Sequence, residues 1–128
     1  MNRLEGTIVA VKGTGSIRLV SVDTAAGRMH ALVLDTGSAQ RLYAPGGHVW
    51  VLFKETAVVV LGSDEPSIPG RVVELSKGLV LTEILVEFDL GPDRVRANLP
   101  SEELPTGLVM GDKIRLRVPA SAVALELS

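Results

Sequence analysis

Three stretches of the chain carry most of the side chains that could hold an anion. Lys54-Glu55-Thr56 offers an ammonium and a hydroxyl, Asp35 to Gln40 offers Thr36 and Ser38, and Ser101 and Ser121, with Thr82, stand in related places further on. A tetrahedral oxyanion needs several O–H and N–H donors and one or two cations, and loops at strand ends present them best. The same residues also have a plainer reading. Ser38 and Ser101 suit the first turn of a short helix, and Lys54 suits a solvated edge strand that must not aggregate. Catalytic chemistry is poorly served: there is no Cys, His30 and His48 are the only imidazoles, and neither is spaced from a Ser or carboxylate as a triad would require. Gly13 to Ser16 lacks the Gly-Lys-Ser/Thr ending of a phosphate loop and reads as a turn. The chain is therefore expected not to be an enzyme and to hold no metal cation through its own ligands.

Composition narrows the class of partner. With 46% hydrophobic and 22% charged residues among 128, the chain suits one ordinary domain or two very small ones. A formal charge of -2 provides no field to gather nucleic acid or an anionic membrane. The absence of Cys fits a reducing, cytoplasmic setting. No signal-like segment opens the chain, and Lys54 and Glu55 interrupt its most apolar region, so no run approaches the roughly 20 residues that span a bilayer.

The elements that would position these groups are written twice. "LEGTIVAVKGTGSIRLVSVDT" recurs as "IPGRVVELSKGLVLTEILVEF", with Gly6 answered by Gly70, Val9 by Val73 and Val20 by Ile84. "GGHVWVLFKETAVVVLG" recurs as "GDKIRLRVPASAVALEL". Two copies, residues 1–63 and 68–128 joined by a linker at 64–67, account for nearly the whole chain. Each copy contains short Val/Ile/Leu-rich runs separated by Gly, Pro, Asp and Ser clusters, and "KIRLRV" alternates strictly between apolar and basic residues. A short helical turn is expected before the fourth strand of each copy, in "TGSAQRLYA" and "PSEELPTGL". Five strands and one such turn per copy predict an all-β chain of two small OB-type barrels, each closed by its own final hairpin. Units of about 60 residues bury too little surface to be secure alone, so the copies should pack on each other. If Val49, Val51 and Phe53 face a core, Trp50 faces outward, either at an interface or as a partly covered surface residue.

The tandem pattern resembles the di-Mop proteins, two molbindin-type units of the transport-associated OB (TOBE) family, which includes cytoplasmic molybdate-binding proteins and the C-terminal half of the molybdate-responsive transcription regulator. The matching residues are "LEGTIVAV" and "IPGRVVEL", "KGLVLTEILVEF", and the two closing segments "GSAQRLYAPGGHVWVLFKETAV" and "LPSEELPTGLVMGDKIRLRVPASAV". The resemblance implies subunits associated as dimers or trimers, with molybdate or tungstate in interface pockets. It implies a role in storage, buffering or sensing. By position, Lys54 matches the family's Lys, Ser38 a Ser opening the helical turn, and Thr56 and Ser121 the Ser of its Lys-Ala-Ser-Ser stretch; Ser101 completes the second copy. The family's Ser-Ala-Arg-Asn lead-in is missing, with Asn2 matching its last member and Met1 standing at the Arg, which leaves Arg3 as a substitute. Pro119 replaces the Lys in copy two, and Asp35 and Glu55 add carboxylates beside the copy-one group. These departures favour a competing expectation, a non-binding di-TOBE module that serves dimerisation or regulation of a transporter ATPase or transcription regulator. An oligonucleotide-binding barrel is disfavoured by the negative charge and the lack of an aromatic stacking platform.

Overall fold

Alternation builds the strands. In "HVWVLF" Val49, Val51 and Phe53 are buried while Trp50 and Leu52 are only partly covered, and in "KIRLR" Ile114 and Leu116 are buried between exposed cations. The computed structural model describes residues 1–14, 16–34, 43–61 and 67–128. Copy one contributes β1 (Asn2–Thr14), β2 (Ile17–Thr24), β3 (Arg28–Leu34), β4 (His48–Phe53) and β5 (Val59–Leu61). Copy two contributes β6 (Ile68–Lys77), β7 (Leu81–Phe88), β8 (Arg94–Pro100), β9 (Lys113–Arg117) and β10 (Ala124–Leu127). Most of the expected copy-one turn, and the linker except Ser67, lie outside the described residues. In copy two that turn is present as a single 3-10 turn, Ser101–Glu103.

The two barrel-like sheets are not closed by their own hairpins. The strand orders are β10-β4-β1-β2-β3 and β5-β9-β6-β7-β8, so the last strand of each copy completes the sheet of the other. This corrects the hairpin expectation. Between β4 and β5, and between β9 and β10, the chain makes a 3-10 turn, Glu55–Ala57 or Ala120–Ala122, and crosses over rather than folding back. The Glu55–Ala57 turn packs on β8 and the Ala120–Ala122 turn on β3, each against the opposite barrel. The crossovers fuse the interiors, and Phe53 and Phe88 meet Met29, Ile68, Val95 and Leu116 around a void of only about 10 Å³.

Within each copy the first strand serves two neighbours. β1 pairs with β4 through Asn2 to Thr7 and with β2 through Gly6 to Thr14. A bulge between Ile8 and Ala10, repeated between Val72 and Glu74 in β6, bends the strand around the barrel. Gly6 and Gly70 sit where the neighbours crowd closest, and a Cβ there would come within 2.3 Å of Val22 or 2.6 Å of Val86. That explains the repeated glycine in sterics. Across the barrels, Gly91 at φ +77 lets the β7–β8 turn approach Ala25, whose Cβ would lie 2.8 Å from an added one.

One polar contact pins the seam. The side chain of Asn2 is buried at 7% exposure; its Nδ2 donates to the Arg96 carbonyl at 2.8 Å and its Oδ1 accepts from the Arg96 N–H at 2.9 Å. The amide thus imitates a strand neighbour for β8. Its counterpart by repeat is Pro66, whose side chain can neither donate nor accept. No helix among the described residues is long and apolar enough to cross a membrane. Replacing Asn2 with Ala removes both bonds at a largely dry position. We expect a loss of about 1–3 kcal/mol, read in thermal unfolding as a midpoint lower by roughly 4–12 °C; an unchanged midpoint would show that the contact carries no stability.

Candidate functional site

The crossovers bring the expected anion-binding segments to the seam between the barrels. On one side lie Lys54, Glu55 and Thr56 beside β8; on the other, Pro119, Ala120 and Ser121 beside β3. Lys54, Thr56 and Ser121 are exposed. Glu55 is already engaged: its carboxylate pairs with the Met1 ammonium. That hydrogen bond, then a backbone N–H of its own turn and the nearby Arg96 charge, hold the Glu55 carboxyl below its ordinary range. Copy one thus presents a carboxylate, ionised at neutral pH, next to Lys54.

Arg3 and Asn2 diverge. Arg3 lies on the outer face of β1, its guanidinium 4.1 Å from the centre of the Trp50 ring and 3.8 Å from Glu126. This answers the Trp50 question in part, because a surface cation–π stack covers one face of the ring at a gain of about 0.5–1 kcal/mol. Ser101 is committed elsewhere: its hydroxyl donates to the Gly78 carbonyl at 2.7 Å and lies 2.8 Å from the hydroxyl of fully buried Thr82. Ser121 sits on the turn that packs on β3, so the two copy-two serines are not brought together. Ser38 lies outside the described residues, as do Asp35 and Thr36.

The structure assembles a second group that the sequence did not announce. A cleft of about 310 Å³ opens beside the Ala120–Ala122 turn, lined by Arg28 and His30 of β3, Ser67 ahead of β6, and Arg117 at the end of β9. Met29, Ile68, Leu116, Val118 and Pro119 supply apolar walls, and no carboxylate lines it among the described residues. Arg28 is held from outside by Asp23, with nitrogen–oxygen distances of 2.7 and 3.3 Å. That bond keeps the Asp23 carboxyl below its usual range and raises the guanidinium above its own. Ser21 Oγ lies 3.0 Å from His30 Nδ1, which fixes the ring and leaves Nε2 as its second polar atom. Arg115 donates to Ser67 at 3.3 Å. Such a set, two guanidiniums, an imidazole and a hydroxyl against a partly apolar wall, can replace much of an anion's hydration. It comes from three separate segments, so no local motif could reveal it; the one signal was the alternating "RMH" and "RLR".

On the opposite seam the corresponding residues are Arg94, Arg96, Arg3, Leu52, Lys54 and Glu55. There Arg94 pairs with Glu87 at 3.0 Å and Asn2 closes onto Arg96. Arg28 with Asp23 is the matching ion pair on the β3 side, so the seams differ in chemistry at Asn2, Lys54 and Glu55 rather than at this pair. Among the described residues no group of three or more His, Cys, Asp or Glu side chains is placed to hold a metal cation.

Comparison with known proteins agrees with this architecture. The TOBE domain family matches residues 1–61. No curated protein matches the chain by sequence. Among solved structures, the crystal structure of the cytoplasmic molybdate-binding protein ModG, in a PEG-grown form with molybdate bound, is similar at a TM-score of 0.88 and 21% identity, over 99% of this chain and 96% of that one. At that identity the likeness is one of fold. Residues 1–61 thus match the TOBE domain, and a second barrel of the same build follows it in a tandem fold like that of the ModG structure.

Proposed function

We propose that the chain binds a tetrahedral oxyanion, molybdate or tungstate, in the cytoplasm, and serves its storage, buffering or sensing. The observation that carries this reading is the cationic cleft at the β3 seam, whose lining includes no carboxylate among the described residues, in a fold shared end to end with a protein that binds molybdate. A dianion there would face the Arg28 and Arg117 guanidiniums and the Ser67 hydroxyl. His30 would add Nε2–H in the tautomer in which Ser21 donates to Nδ1. Since the cleft is open to solvent, a second copy of the chain packed over it would exclude water and strengthen each contact. That is the sense in which the ligand belongs at an interface.

The Lys54–Thr56 group is the weaker seat. The Glu55 carboxylate beside its ammonium repels any incoming anion, and a like charge at contact distance costs about 1 kcal/mol in water and several times that where water is excluded. Ser101 would have to break its bond to Gly78 to donate. Arg3 would have to leave Trp50 and rotate around β1.

The non-binding reading, a module for assembly or regulation alone, is favoured by one observation, the ionised Glu55 in the copy-one seat. Calorimetric titration with molybdate, with sulfate as control, separates the two. Binding to the wild-type chain with a roughly 10- to 100-fold loss in Arg117→Ala is expected, the range for one charge-assisted hydrogen bond. Lys54→Ala should leave affinity within a few-fold. The absence of any saturable heat with either anion would establish the assembly module instead.

Asp23 offers a test of opposite sign. It shares the Arg28 guanidinium with the incoming anion, so Asp23→Asn should tighten molybdate binding several-fold by removing a competing carboxylate. Because the pair is about half exposed, its loss should change the unfolding midpoint little. Weaker binding in Asp23→Asn would mean that Asp23 positions Arg28 rather than competing for it.

A further inference from the structure

The two barrels keep one ion pair at the seam and differ in the cation beside it. Arg28 with Asp23 stands where the sister barrel has Arg94 with Glu87, but two residues along β3 the chain has His30 where β8 has Arg96. Ser21, opposite His30, is answered by Leu85, opposite Arg96. A permanent charge in one barrel is thus a titratable one in the other, and the titratable one has a hydroxyl beside it. Imidazole ordinarily changes charge within the physiological pH range, whereas a guanidinium stays charged throughout.

Ser21 lets the ring change charge without changing place. Its Oγ lies 3.0 Å from His30 Nδ1, and a hydroxyl can either donate or accept there. In the neutral ring with its proton on Nε2, the hydroxyl donates to Nδ1; in the imidazolium it accepts from Nδ1–H. Either way Nε2–H remains the free donor of a ring that lines the cleft together with Arg28, Ser67 and Arg117. Protonation therefore adds a charge to a donor already in place. The other neutral tautomer, with Nδ1–H donating to Ser21, would turn an Nε2 lone pair on an incoming oxygen, and a bound anion selects against it.

Among the described residues, the charged groups on the elements packed around the ring have other engagements or the same sign. Arg28 on its own strand and Asp23 across on β2 are bound to each other. From β9 come Arg117 and Arg115, the latter donating to Ser67; the Ala120–Ala122 turn brings no charged side chain, and Glu126 of β10 lies by Arg3.

We propose that His30 is a proton-coupled ligand of this cleft: the imidazolium holds a tetrahedral dianion there, and capture of the dianion takes up a proton. The inference rests on the oxyanion reading of the cleft and adds its regulation. Linkage makes the coupling reciprocal, the dianion favouring the proton on the ring and the proton favouring the dianion. The gain in affinity is complete below the pH at which the ring of the empty cleft titrates, and it is lost as the pH rises past the point where the ring of the occupied cleft does. Acidification thus loads the cleft, and alkaline pH releases the anion.

Calorimetric titration of the full chain with dilute molybdate, at about pH 6 and about pH 8.5, spans the range in which imidazole changes charge. The wild-type dissociation constant should be roughly 10-fold lower at the acidic end, the effect of one added charge at contact distance in a site open to solvent. At an intermediate pH, the heats measured in imidazole and in Tris buffer should differ by the uptake of part of one proton per anion. His30→Gln keeps a donor but cannot gain charge; it should bind within a few-fold of the wild-type alkaline value at both ends, with no proton uptake. His48→Gln changes the other imidazole, on β4 beside Glu5 and Asp23, and should keep the wild-type pH dependence. Saturable binding that is independent of pH and buffer overturns the proposal and leaves the oxyanion reading standing. Proton uptake that persists in His30→Gln, or vanishes in His48→Gln, does the same. The absence of saturable heat at any pH removes the oxyanion reading and the coupling with it.

Discussion

The exchange of the last strand of each copy is the constraint on which the rest of the molecule depends. β5 has only three residues and β10 four, and each forms its sheet contacts solely with the opposite copy. Neither barrel is complete without the other, and the aliphatic interiors, short of aromatic bulk, become one core around Phe53 and Phe88. Two small units that would each bury too little surface are thereby converted into one domain of workable size. The exchange also decides where chemistry can occur. A crossover must leave one sheet and enter another, and at that point its backbone and side chains face the edge strand of a foreign barrel. The Glu55–Ala57 and Ala120–Ala122 turns lie there, which is why polar residues far apart in sequence converge on β8 and β3.

Duplication gives two seams, and the residues have pulled them apart. On the β8 side Asn2 supplies the missing strand neighbour, and the surrounding charges, Glu55 with Met1 and Arg94 with Glu87, are mutually satisfied. Such a seam is stiff and self-contained. On the β3 side the residue matching Lys54 is Pro119, and Arg28, His30, Ser67 and Arg117 stand beside a cleft. The Arg28–Asp23 pair answers Arg94–Glu87, and the difference between the sides is the Asn2 amide on one and the cleft on the other.

Much of the fold was legible because the repeat and the strand alternation are written in residue types with direct physical consequences. Gly6 and Gly70 recur because a Cβ would collide with Val22 or Val86, and the parity of Trp50 against Val49 and Val51 gave its outward orientation. The strand exchange was not legible. Each closing segment satisfies the same alternation whether it returns to its own sheet or crosses to the other, so a hairpin was the natural reading. The positions of the candidate anion-binding residues were only partly readable for a related reason. Lys54, Thr56 and Ser121 do reach the seam, but Ser101 and Arg3 have local partners, Gly78, Thr82 and Trp50, that no spacing predicts. Arg28 and Arg117 share a cleft only because β3 and β9 belong to different sheets joined at the crossover.

The asymmetry extends to the outer surfaces, and there the same logic applies. Along β2 and β3 of one barrel, leucine stands where its sister has Glu83 and Asn98, although the backbone registers coincide. Packing inside the barrels cannot account for this, because these positions point away from the core in both. Solubility favours the polar residues of copy two at such positions, as a solvated sheet face normally alternates apolar with polar. The leucines of copy one therefore oppose the local preference of the fold.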